Sequence, residues 1–99
     1  MIKGLKFRGI SYKCGVTYFQ DKQWSRVIKE FETIPNYIQD EVLCEMLGTC
    51  YVNLGNIEKG MDLYLSASEI YKQQGEEGKQ ARLLEKLEKI KKTTIQDEK

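Results

Sequence analysis

The stretch LGTCYVNLGN, residues 47–56, decides how this chain folds. Met46, Leu47, Cys50, Tyr51 and Leu54 recur at the three- and four-residue spacing that lines one side of an α-helix. Gly48 lies inside that pattern, although a glycine in a helix interior costs about 1 kcal/mol relative to alanine. Gly55 falls just past the last periodic residue, where a left-handed glycine closes a helix. One glycine therefore ends a helix, and the other must gain something by lacking a side chain.

Working outward, apolar periodicity predicts five helical segments. The first spans about Gly9 to Gln20, with residues 1–8 either an irregular leader or a frayed extension of it. Asp21-Lys22-Gln23 forms a turn, and the second segment runs from Trp24 to about Ile34, stopped by Pro35 because the residue before a proline disfavours helical geometry. The third covers about Ile38 to Leu54, and the fourth Ile57 to about Gln74. After the break Gly75–Gly78, the fifth runs from Lys79 to about Lys92, leaving 93–99 to fray.

Self-comparison adds more than any single segment. Gly15 and Gly48 stand 33 residues apart, and the same offset joins Tyr18 to Tyr51, Trp24 to Ile57, Val27 to Gly60, Phe31 to Tyr64 and Ile34 to Ala67. Helix–turn–helix units at this period indicate a helical array. Leu47, Gly48, Tyr51, Gly60, Tyr64 and Ala67, with Cys14, Gly15, Tyr18, Val27 and Phe31 before them, resemble the tetratricopeptide repeat pattern. The resemblance implies an all-α fold of about five helices: antiparallel hairpins stacked as a short right-handed solenoid. The whole of 1–99 reads as one domain, with repeat 1 over about 8–40, repeat 2 over about 41–74 and a capping helix over about 79–92. No tryptophan opens either copy, and the late proline position holds Gln39 and Lys72. In a stacked hairpin Gly48 is expected to face Gly60 and Ala67, with Tyr51 and Tyr64 packed around the contact. Burial of each aromatic, on the order of 2 kcal/mol, outweighs the helix penalty. Glu88, at the place of Gly48 in an alignment of the fifth segment, leaves no room for a further helix. Two repeats and a cap are short for such an array, and self-association or membership of a longer array would relieve the deficit.

No constellation for catalysis is evident. The chain has no histidine, which removes most acid–base and triad arrangements. There is no phosphate-binding glycine loop and no metal-ligand spacing. Cys14 and Cys44 read as inert core thiols, while Cys50 is either structural or redox-sensitive. A net charge of +1 at 31% charged residues gives no overall bias toward nucleic acid. No stretch reaches membrane-spanning length, and three unpaired cysteines suit a reducing compartment, hence the cytoplasm. The expectation is a non-enzymatic protein without cofactor or metal.

The resemblance further implies that the first helix of each repeat lines a concave groove. Its residues there would be Tyr12, Val16, Phe19 and Gln20 in copy one, and Val42, Glu45, Thr49, Val52 and Asn53 in copy two. A protein or peptide partner would lay apolar side chains on Tyr12, Val16 and Phe19, with Gln20 and Asn53 bonding its backbone. Alternatively those three pack against residues 1–8, the fifth helix or a second copy. Family members that bind chaperone tails clamp a C-terminal carboxylate with lysine and asparagine. Here Tyr12, Val16, Glu45 and Thr49 stand in those places, so heat-shock chaperone tails are not the expected ligand. The other functional expectation is the repeat portion of a bacterial regulator that senses a signalling peptide.

Overall fold

A computed structural model describes the backbone of residues 2–97 and the side chains of residues 10–92. Five α-helices follow one another: α1 (Ile2–Gln20), α2 (Trp24–Phe31), α3 (Glu41–Asn53), α4 (Ile57–Gln73) and α5 (Glu77–Asp97). A single 3₁₀ turn, Tyr37–Gln39, lies between α2 and α3, and no strand occurs among the described residues. The body measures 50 × 32 × 18 Å. With a helix about 10 Å across, the thin dimension holds two layers of helices.

α3 is the keystone of the packing. It lies most extensively against α4 and also against α2, while α1 packs on α2 and α5 on α4. Leu43, Cys44, Leu47, Gly48 and Cys50 are all buried, so α3 has apolar neighbours on more than one side. Gly48 does face Gly60: a Cβ built on Gly48 would lie 3.0 Å from the Gly60 carbonyl oxygen and 3.0 Å from the Tyr64 ring. Gly15 meets Phe31 in the same way, one offset of 33 earlier, and a Cβ there would overlap the ring. The small residue on the first helix of each hairpin thus seats an aromatic from the second. Tyr51 does not join that contact. It turns to the other side, where its hydroxyl donates to Glu32 Oε2 at 2.7 Å and Lys59 lies 5.1 Å from its ring centroid.

Three of the turns share one construction. The amide of Gln23 donates to the Tyr18 carbonyl at 2.9 Å, that of Asn56 to Tyr51 at 2.8 Å, and that of Glu76 to Tyr71 at 2.9 Å. In each, the residue four places after the tyrosine is left-handed: Lys22 at φ 59°, Gly55 at 92° and Gly75 at 78°. This is the bonding by which helices close on a left-handed residue. A cation eight places after each tyrosine then sits over its ring, Arg26 at 5.6 Å, Lys59 at 5.1 Å and Lys79 at 5.7 Å.

Helix boundaries depart from the sequence expectation at four places. α1 reaches back to Ile2, so residues 2–8 extend the helix. α2 stops at Phe31, three residues before Ile34, and the chain reverses through Asn36 at φ 61°. α3 starts at Glu41 and not at Ile38, because Asp40 Oδ1 accepts the amides of Val42 at 3.0 Å and Leu43 at 3.1 Å and so fixes the N-cap. α5 begins at Glu77 and continues to Asp97, beyond the expected end near Lys92; residues 98 and 99 lie outside the described residues. No described helix is long and apolar enough to cross a membrane.

Candidate functional site

The nine residues expected along a groove divide into two sets. Val42 and Asn53 lie on one line of α3 with Met46 and Thr49, since positions 42, 46, 49 and 53 follow the helical repeat. Val42 is 40% exposed, Asn53 is exposed, and Met46 and Thr49 are half-buried. The Asn53 amide donates back to the Thr49 carbonyl at 2.8 Å, which pins the side chain along the helix. Gln20 is exposed at the end of α1, and Val16 packs half-buried against the core.

The other residues are turned toward neighbouring helices. Tyr12 stacks on Phe31 of α2 with ring centroids 6.0 Å apart, and Phe19 meets Trp24 edge-on at 5.4 Å. Val52 fills the space left by Gly60, its Cγ2 lying 2.5 Å from where a Cβ on that glycine would be. Thr49, though on the outer line, shares a 2.6 Å hydrogen bond with the Tyr64 hydroxyl. Tyr12, Phe19 and Val52 therefore each meet a residue of their own hairpin, although Tyr12 keeps 39% of its surface exposed. One helical step of 100° separates a groove-facing position from a partner-facing one.

Glu45 is engaged most heavily of all. Its carboxylate accepts from Lys86 Nζ at 3.2 Å, from Arg82 Nη2 at 3.4 Å and from the Tyr71 hydroxyl at 3.3 Å. Three helices, α3, α4 and α5, meet in that cluster. The Glu45 side chain is 17% exposed, whereas Arg82 and Lys86 keep about half their surface in water. Burial, the nearby Glu45 carboxylate and its hydrogen bond raise the Tyr71 hydroxyl above its ordinary titration range. One carboxylate faces two cations, and Glu41 adds a second negative charge close enough to act on Tyr71. Arg82 and Lys86 were not singled out from sequence, because their shared partner lies 37 and 41 residues away.

The buried thiols are held in the protonated form. Desolvation, with the negative charges of Asp40 and Glu41, pushes Cys44 up to about 11, and its sulfur donates to the Ile38 carbonyl at 3.1 Å. Desolvation pushes Cys50 up to about 12. A fully buried thiol so far above neutrality is a poor nucleophile, which favours the structural alternative for Cys50. Among the described residues, no three of His, Cys, Asp or Glu come together as a set able to hold a metal ion. The arrangement offers an outer line on α3 of mixed polarity, bordered by the cations of α5. No protein-family model matches the chain, and no curated protein or solved structure is significantly similar to it.

Proposed function

We propose that this chain is a non-enzymatic, tetratricopeptide-like helical scaffold that holds a peptide segment of a protein partner. The observation that carries the reading is the paired seating of Phe31 on Gly15 and Tyr64 on Gly48, which repeats at an offset of 33 residues, one short of that family's usual period, and suits two hairpins stacked in a short solenoid. In such an array the outer line of the first helices is the recognition surface. On α3 that line is Val42, Met46, Thr49 and Asn53. Val42 and Met46 supply apolar contact, and Asn53 supplies an amide for a peptide backbone. Arg82 and Lys86 on the α5 side add positive charge, so the favoured segment is extended and carries an acidic residue beside an apolar one.

Selection of peptides from a random displayed library, followed by fluorescence anisotropy of the enriched sequences, tests the reading. Enriched peptides should carry an acid next to an apolar residue and lose at least tenfold in affinity on Val42→Asp and on Arg82→Ala, with helicity unchanged. Peptides that bind both variants as well as the wild type, or a library that yields no sequence-specific binder, would remove the α3 line from the account.

A further inference from the structure

The outer side of α1 is a second surface, independent of any ligand on the α3 line. Ile10 is 58% exposed, Lys13 and Thr17 are exposed, and Lys13, Cys14, Thr17 and Tyr18 line an open depression of about 240 Å³. Of the residues 33 places later, Leu43, Leu47, Cys50 and Tyr51 occupy the corresponding side of α3, and half-buried Met46 lies at its border with the outer line. On that side Leu43, Leu47 and Cys50 are fully buried, and Glu32, the residue that caps α2, reaches Tyr51. The side of α1 thus corresponds to one that α3 keeps covered by a helix with a carboxylate at its C-terminal cap.

The sequence of α1 is also one-sided in charge. It holds Lys3, Lys6, Arg8 and Lys13 and no acidic residue. A complementary face exists on the same molecule. α4 presents Glu58, Asp62, Leu65 and Glu69 along one exposed line, with Leu65 48% exposed. Neither Lys13 nor Asp62 has an ion-pair partner among the described residues.

We infer that the outer face of α1 receives α4 of a second copy, giving head-to-tail association. In one antiparallel register Leu65 of one copy falls level with Ile10 of the next, and Asp62 with Lys13. The same register sets Glu69 level with position 6, a lysine, and leaves one like-charge match, Lys72 with position 3. The apolar contact is flanked by opposite charges, which makes the two faces complementary. Because the two faces differ, the contact is heterologous: each copy has one of each, and association continues from copy to copy. A single helix pair buries little surface, so the association is weak and concentration-dependent.

Sedimentation velocity of the full chain over a concentration series tests this. The wild type should sediment faster as concentration rises to about 1 mM, and the effect should weaken at high salt. Ile10→Asp removes the receiving face and Leu65→Asp the donating face, so each variant alone should lose association by tenfold or more. An equimolar mixture should form a dimer and nothing larger, since one wild-type contact remains and its outer ends both carry aspartate. Circular dichroism checks that helicity is retained; should Ile10→Asp lower it, Lys13→Asp takes its place in the same mixture. A wild type that stays monomeric throughout overturns the inference. So does a mixture that stays monomeric, which would mean a symmetric contact, or one that grows beyond the dimer. Peptide binding on α3 is unaffected by either variant, so its failure and this one are read separately.

Discussion

Gly48 and Gly60 oppose each other where α3 crosses α4, each backbone carbonyl oxygen lying 2.8–3.0 Å from the site of a methyl on the other. Neither residue could carry a side chain without moving a backbone. Gly60→Ala meets the Gly48 carbonyl and also Val52 Cγ2, so the helices must separate. Its expected cost is about 2 kcal/mol by urea denaturation, net of the roughly 1 kcal/mol that alanine gains in a helix. Gly78→Ala is the control: nothing lies within 4 Å of the added methyl, and stability should hold or rise.

The left-handed position of the three tyrosine turns is filled by glycine twice and by lysine once. Lys22 at φ 59° holds a conformation that disfavours an L side chain. Lys22→Gly should therefore stabilise the protein by roughly 0.5–1 kcal/mol. Gly55→Ala, at φ 92° with open space around it, should lose about 1 kcal/mol through strain alone. Paired melting curves check both signs.

Glu45 ties α5 to the rest of the molecule. Glu45→Ala removes the common partner of Arg82, Lys86 and Tyr71 and should cost about 1–2 kcal/mol. Arg82→Ala, a half-exposed partner, should cost under about 1 kcal/mol and lose its effect in high salt. Hydrogen exchange should show the Glu45 variant opening first in α5, because that helix packs chiefly on α4.

Cys44 and Cys50 make stability fall at alkaline pH. Their ordinary value is 9.0, and in the fold they stand at about 11 and about 12. Below pH 9 both folded and unfolded chains keep the protons and stability is unaffected. Above it the unfolded chain releases them and the folded chain does not, so stability declines as pH rises toward the folded values. Each thiol contributes a slope of up to about 1.4 kcal/mol per pH unit. Urea unfolding from pH 8 to 10.5 should show the decline, and Cys50→Ala should reduce its slope.

Helices and the seat of Tyr64 on Gly48 were legible in the sequence because both rest on local spacing and one constant offset. The start of α3 was not, since Ile38 prolongs the apolar pattern backward while the Asp40 side chain sets the cap. α5 opens on exposed charged residues that have no periodicity to read. Tyr71 repeats the turn of Tyr18 and Tyr51 with its lysine at the same distance, but 20 residues after Tyr51 instead of 33, so an offset search passes over it. Of the groove residues, Tyr12, Gln20, Val42 and Asn53 are exposed, while Phe19 and Val52 are half-buried against residues of the next helix. A single helix carries no information about where its neighbour lies. Glu45 shows the same limit over a longer distance.

The three tyrosine turns have a kinetic consequence. Each closes its backbone bond over five residues and its ring–cation contact over eight, so neighbouring helices can be brought side by side before any distant part of the chain is found. Search entropy is then small, and topologies dominated by such short-range contacts fold within microseconds to milliseconds. Only the passage through Pro35 and the 3₁₀ turn lacks this closure, which makes the docking of α2 on α3 the late event in assembly.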